Sequence, residues 1–321
     1  MRFFIYRLSV ALIALLICFG MLTACQKDMP KRLDGMYSSN TSQENAETGS
    51  NIENDTESDE SDNTAAKETI AVPSFKTGNY VMDSSTSYEQ YYYQGTSIVS
   101  RVVTTQTYTY GIKLSVKDSG AMTAVYTFRR IQTSYEGSET YTMDTNDKSG
   151  RDEDTAVYYD LIGQSFTVNI TSDYQLSAKG VDKIHQNYPD TAELIDDDNM
   201  LEVASDLFYQ MEGPLSVGSS WKLNQSGIVN TYSVTKLNDK NLLVNIAGGK
   251  LDVPEPFTRD DITYTYQACN PLKGSLVIDR DNRMVQEQSS YQSNTGQIDY
   301  NGATYSFEET SSSLCTIIKV K

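Results

Sequence analysis

Residues 111–117 read GIKLSVK, and residues 165–171 read SFTVNIT. In the first, Ile112, Leu114 and Val116 point one way while Lys113, Ser115 and Lys117 point the other. In the second, Phe166, Val168 and Ile170 share a side. A strict period of two is the signature of a strand with one face buried and one face wet, as in antiparallel sheets. Residues 242–248 (LLVNIAG) and 275–281 (SLVIDRD) follow the same rule. Turn chemistry separates the runs: Asp118-Ser119-Gly120, Asn238-Asp239-Lys240-Asn241, and Asn301-Gly302, a strong hairpin signal. The expected fold is therefore mainly β, with antiparallel sheets.

One stretch departs from this period. Met200, Leu201, Val203, Ala204, Leu207, Phe208 and Met211 fall on one helical face. Asn199 and Glu202 have the spacing of a capping box, and Asp196, Asp197 and Asp198 place negative charge at the helix start, where it is favourable. The pattern predicts a helix over 199–211 and a shorter one within 181–195, ended by Pro214. This piece divides two similar halves. Residues 168–176 (VNITSDYQL) align with residues 276–284 (LVIDRDNRM), each as strand, turn at an aspartate, and return. Residues 116–120 align with 237–241, and Gly78-Asn79-Tyr80 loosely matches Gly218-Ser219-Ser220-Trp221, in the same order. The expected domain plan is a first β half over 71–180, a helical connector over 181–213 and a second β half over 214–321, with the sheets forming half-barrels or curved sheets.

The N-terminus has a different composition. Arg2 and Arg7 flank a short start, and an apolar stretch follows that is too short to span a bilayer and stay there. It ends Leu22-Thr23-Ala24-Cys25, which resembles the bacterial lipobox. The resemblance implies a signal peptide over 1–24, a diacylglycerol on the Cys25 thiol, and anchoring on the extracytoplasmic side of a membrane. Two or more acyl chains hold a protein stably where one does not. From Gln26 to Ile70 the chain is Ser, Thr, Asn and acid, with eleven acidic and four basic side chains and almost nothing apolar. Such a segment cannot bury enough surface to offset its ordering entropy, so residues 25–70 read as a lipidated cysteine and disordered tether. Its typical span is about 35–40 Å.

With the lipobox, Pro214-Leu215-Ser216-Val217-Gly218-Ser219-Ser220-Trp221 resembles the Pro-x-x-Val-Gly-x-Ser-Trp run that opens the second half of a group of β-rich, internally repeated bacterial surface lipoproteins. The resemblance implies a surface location and implies no activity.

The chain carries 26 Lys and Arg against 43 Asp and Glu, a net charge of −17. That balance argues against nucleic acid, which needs a basic face, and against peripheral attachment to anionic lipid. The lipid on Cys25 is then the expected membrane contact. Cys18 leaves with the signal. Cys269 and Cys315 remain, and two readings stand: a disulfide, or two buried free thiols.

No catalytic set assembles from the sequence. His185 is the single histidine and no G-x-S-x-G elbow accompanies it. One His and two distant Cys do not make a zinc site. The acidic stretch Asp144–Asp154 lacks the glycine of an EF-hand loop, with Ser149 at that position. Acids are too frequent for any pair to stand out for glycoside hydrolysis. The expectation is thus no enzyme, no metal and no cofactor. Tyrosine is the unusual feature, with 23 Tyr against one Trp. Tyr88, Tyr91, Tyr92 and Tyr93 form the densest cluster and are the candidate contact surface. Three functions are weighed: a binding module for an apolar or glycan ligand or an envelope partner; a structural or adhesive envelope protein without a small-molecule ligand; and, less favoured, a hydrolase. An apolar concave groove would favour the first, and a filled core the second.

Replacing Cys25 with Ala is expected to release the chain from the membrane fraction into the soluble fraction. A Cys25→Ala chain that sediments with membranes at the wild-type level would remove the lipid anchor.

Overall fold

The computed structural model describes residues 68–225, 228–259, 262–300 and 302–320. The signal peptide, Cys25 and nearly all of the tether fall outside the described residues. The chain enters with β1 (Thr69–Ile70), then forms three long strands, β2 (Gly78–Gln94), β3 (Ser97–Val116) and β4 (Met122–Glu136), and a short β5 (Thr140–Asp144). Helix α1 (Ala156–Leu161) precedes β6 (Ser165–Ile170) and β7 (Leu176–Lys179). The connector holds α2 (Val181–Asn187), a 3-10 turn over Pro189–Glu193, and α3 (Asp197–Ser205). The rest of the chain is β8 (Leu215–Ser216), β9 (Ser220–Gln225), β10 (Ile228–Leu237), β11 (Asn241–Ala247), β12 (Phe257–Arg259), β13 (Ile262–Cys269), β14 (Lys273–Asp279), β15 (Val285–Tyr300) and β16 (Ala303–Val320).

The turn signals act as their chemistry requires. Gly120 takes φ 83° between β3 and β4, and Gly302 takes φ 76° between β15 and β16, a region open to glycine. The Asn238 side chain accepts from the backbone N–H of Lys240 at 3.0 Å and of Asn241 at 2.7 Å, closing the β10–β11 turn.

The expectation of two similar halves built as half-barrels or curved sheets is not what forms. Fourteen strands join one open antiparallel sheet in the order β7-β6-β4-β3-β2-β16-β15-β14-β11-β10-β9, with β5 on β4, β13 on β15 and β12 on β13. The path ends at β7 and at β9, so the sheet is not closed into a barrel. The physical reason lies in β2 and β16. Each would be the bare edge of its own half, with a long row of unpaired N–H and C=O groups. They pair with each other from Asn79↔Val320 to Tyr93↔Ser306, and the two edges vanish into one interior ladder. The aligned stretches 168–176 and 276–284 are both hairpins, β6–β7 and β14–β15, with different loops. Thr171 N–H bonds the Gln175 carbonyl in one, whereas Asp279 N–H bonds the Met284 carbonyl in the other.

The two hairpin turns meet. Tyr174 and Arg283 both have positive φ, 64° and 61°. The buried Arg283 guanidinium donates to the Tyr174 hydroxyl and to the Tyr209 carbonyl, each at 2.5 Å, and lies 4.7 Å from the centre of the Phe75 ring. Burial pulls its pKa down, and its contacts with tyrosine oppose that pull. Because both loops spend a strained backbone position on this contact, it clasps the first part of the sheet to the second.

Helix α3 starts earlier than the sequence pattern indicates. Asp196 is the N-cap, accepting from the Asn199 N–H at 2.7 Å, and Asp197 and Asp198 occupy the first turn. With several acids in a row, the spacing rule selected the wrong capping residue. The helix stops at Ser205, yet Leu207, Phe208, Tyr209 and Met211 remain buried in irregular chain. They face one continuous core that also takes Tyr80, Ile112, Tyr126 and Phe166 from the first part of the sheet and Trp221, Val234, Val244 and Ile278 from the second.

Phe208 is 1% exposed and packs on Phe75 at 5.2 Å. Phe208→Ala is expected to reduce stability by about 3–5 kcal/mol in chemical denaturation. A denaturation curve unchanged from wild type would place the connector outside the core.

Candidate functional site

Strands β2, β3, β4, β15 and β16 run for 15–20 residues each, so β3 alone spans roughly 65 Å. The main core covers only one end of them, holding Tyr80 and Met82 of β2 but none of that strand's distal residues. The other end is a distal wing with its own small cluster of Tyr266, Ile298 and Phe307, flanked by Tyr92, Tyr264 and Tyr305. Phe307 meets Tyr266 edge to face at 5.2 Å. Gly296 lies opposite Phe307, and a Cβ there would sit 2.6 Å from the ring, so the glycine makes room for the aromatic side chain.

The tyrosine run lies inside β2, and its period of two splits it between faces. Tyr88 and Tyr92 share the inner face with Tyr80 and Met82, whereas Tyr91 and Tyr93 share the outer face with Glu89. The four do not form one surface. Tyr88 is buried and donates to Glu309 at 2.6 Å; Tyr92 donates to Gln90 at 2.6 Å. On the outer face, the Tyr91 hydroxyl donates to Glu89 at 2.7 Å and that of Tyr93 to Glu308 at 3.1 Å. Arg101 donates to Glu89 at 2.7 Å and to the Tyr91 hydroxyl at 3.2 Å. These bonds, first from Tyr91 and then from Arg101, hold the Glu89 carboxyl below its ordinary pKa.

Between the main core and the distal cluster, the inner face is polar. Glu309 is 2% exposed, and its carboxylate accepts from Tyr88, from Asn294 at 2.9 Å and from Gln90 at 3.4 Å, with Tyr266 bonded as well. Gln106 and Thr104 on β3 are buried in the same belt. Burial pushes the Glu309 carboxyl up, and the hydrogen bonds partly offset this. Sequence reasoning missed this residue. The signal was present: Glu309 stands two positions after Phe307, so a strand that buries Phe307 also turns Glu309 inward, while Glu308 faces out.

The other candidates are used locally. Cys269 and Cys315 are not joined in a disulfide. Through β15, Cys269 lies opposite Asn294 and Cys315 opposite Gln288, about 20 Å apart along the strand, far beyond the reach of a disulfide. Burial raises the Cys315 thiol to about 12, so it is not a reactive thiolate. The His185 ring bonds the Ile195 carbonyl at 2.9 Å within the connector. In the acidic loop, Asp144 pairs with Arg130, Asp147 caps Ser149, and Asp152 bonds Thr155. Among the described residues, no group of three or more His, Cys, Asp and Glu side chains could hold a metal ion, and no helix is long and apolar enough to cross a membrane.

A shallow depression of about 270 Å³ lies at the wing tip, bordered by Tyr93, Gly95, Gln267, Thr295 and Glu308. It falls just below the size range of small-molecule pockets, about 300–1,000 Å³. No protein-family model matches the chain, and no curated protein matches it. Among solved structures, the chain is similar to an outer membrane channel from Pseudomonas putida F1 at 8% identity, over 82% of this chain and 100% of that one, with a TM-score of 0.21. A likeness at that level carries no argument about fold or function.

Glu309 gives a signed pH dependence. Its folded pKa is raised, so its contribution to stability is fully present below the unfolded pKa and is lost as pH rises through the folded value. The melting temperature of wild type is expected to fall relative to Glu309→Gln as pH increases from about 4 upward, the unfolded carboxyl value. Glu309→Ala strands the Tyr88 and Asn294 donors and is expected to reduce stability by about 1–3 kcal/mol for each. A wild-type melting temperature that rises relative to Glu309→Gln over that range would reverse the assignment.

Proposed function

We propose that this chain is a non-enzymatic envelope protein of structural or adhesive type, held on the extracytoplasmic side of a membrane by the lipid on Cys25. The observation that carries the reading is the wing. The chain enters at the core end, where β1 pairs with β8 and Ile70, Val72 and Phe75 pack on the main core. The β2–β3 and β15–β16 hairpins turn at the opposite end, roughly 55 Å along β2. A tether at one end and a projecting sheet at the other suit a protein that reaches away from its anchor.

The filled interior supports this reading over a small-molecule binding module. The face expected to line a groove is packed with Tyr80, Tyr110, Tyr126, Phe128, Phe166 and Phe208, each under 2% exposed. The local engagement of the carboxylates supports a non-enzymatic role: Asp144 pairs with Arg130, Asp147 and Asp152 close turns, Glu89 holds Tyr91 and Arg101, and Glu309 sits in its own network.

Cells that lack the chain, or that carry Cys25→Ala, are expected to lose adhesion to wall material or to become sensitive to detergent, and the wild-type gene should restore both. Unchanged adhesion and envelope integrity in both strains would overturn the proposal. So would turnover of an ester or glycan that co-purifies with the chain to homogeneity.

A further inference from the structure

We propose that the outer face of the distal wing docks an uncharged polysaccharide, with Tyr91 and Tyr93 as the platform on which its sugar rings stack. The inference rests on the adhesive reading and names the partner.

The two rings form a pair, with centroids 6.4 Å apart and planes inclined by 30°. Their hydroxyls are tied along the sheet, Tyr91 to Glu89 of its own strand and Tyr93 to Glu308 of β16, the residue directly across from Tyr91. Arg101 braces the Tyr91 side chain from β3, its guanidinium carbon 5.8 Å from the ring centre. Rings fixed in this way lose little freedom when a ligand arrives, which favours affinity. A sugar ring offers a C–H face to an aromatic ring and hydroxyls at its edge. The edges of this platform supply partners for those hydroxyls: carboxylate acceptors on Glu89 and Glu308, and guanidinium donors on Arg101. Tyr93 also borders the tip depression, where Gln267, Thr295 and Ser306 add an amide and two hydroxyls.

The same face continues toward the core as a floor of small hydroxyl side chains. Ser87 and Thr105 lie 3.1 Å apart across β2 and β3, and Thr107 donates to Ser85 at 2.9 Å. A linear polymer running from the platform toward the core crosses the Glu89–Val103 pair and then lies along this floor. Charge selects among polymers. The chain has a net charge of −17, and two of the platform's three charged groups are carboxylates. Such a face repels anionic polymers, whereas a neutral polyol can share the carboxylates with the tyrosine hydroxyls they already hold.

The test is affinity electrophoresis of the detergent-solubilised full chain in native gels containing a soluble β-glucan, glycol chitin or xylan, with polygalacturonate as the acidic polymer. At least one neutral polymer should retard the chain and polygalacturonate should not. The double variant Tyr91→Ala/Tyr93→Ala is expected to bind about tenfold more weakly or worse, while Tyr91→Phe/Tyr93→Phe, which keeps both rings, stays within about threefold of wild type. Circular dichroism melting identifies any variant that fails to fold, and the Phe variant against wild type then carries the comparison with the neutral polymers. No retardation by any neutral polymer overturns the proposal, as does equal retardation by polygalacturonate or full binding by a folded Ala variant. If deletion of the chain abolishes cell adhesion while no polysaccharide retards it, the polysaccharide is overturned and the adhesive reading stands.

Discussion

The pairing of β2 with β16 is the constraint on which the rest of the molecule depends. Its partners stand at opposite ends of the described chain, Asn79 with Val320 and Tyr93 with Ser306. Everything between them, including all three helices, must be folded or accommodated for the ladder to close. Closing so long a loop is entropically unfavourable, although the penalty grows only slowly with length. Many registered backbone bonds and two aromatic clusters offset it. The ladder also sets the register of the whole sheet. A slip of one residue would turn Tyr80, Met82, Phe307 and Glu309 outward and bring Asp83, Glu89 and Glu308 in. Folding is therefore governed by a contact between distant segments, the regime in which domains fold slowly.

The polar belt gives that register its specificity. A sheet packed only with apolar side chains on its inner face could slide by two residues and still bury apolar groups. Here the belt carries Glu309, Gln90, Asn294 and Tyr88 between two apolar clusters, and its hydrogen bonds form only when β2, β15 and β16 are aligned. A shift would leave a buried carboxyl without donors, a larger penalty than a misplaced aliphatic group. Arg283 sets the alignment at the other end, where its contact with Tyr174 fixes how far apart the two hairpin turns can stand.

What the sequence made legible follows from the range of each signal. Period-two runs such as 111–117 and turns at Gly120, Asn238 and Gly302 depend on neighbours a few residues away, and they could be recognised directly. The single sheet, in place of the two separate halves expected, depends on the meeting of β2 and β16, which no local pattern encodes. The separation of Cys269 from Cys315 is likewise a matter of register. The tyrosine run shows a different failure. Its density marks it out, but the strand period in the same residues assigns Tyr91 and Tyr93 to one face and Tyr88 and Tyr92 to the other. Glu309 could have been found in the same way, from its spacing to Phe307.

The taper of the sheet explains how the wing can project without a large core of its own. At the core end the sheet is broad and its outermost strands are short, four residues in β7 and six in β9. Short edges limit pairing with other chains, and Lys179 and Lys222 add charge there. At the distal end fewer strands continue, but they are the longest, and hairpin β12–β13 flanks them on one side while β5 flanks the other. The small cluster around Phe307 then needs only to hold the inner face of these strands together. The outer face is left to hydroxyls, to the Tyr91–Tyr93 pair and to the ion pairs of Arg101 with Glu89 and Glu136. A wing built in this way gains its rigidity from the β15–β16 and β16–β2 ladders, which run without a register shift back toward the main core. Its exposed face is thereby freed from carrying the fold, and its side chains can be chosen for what they touch outside the molecule.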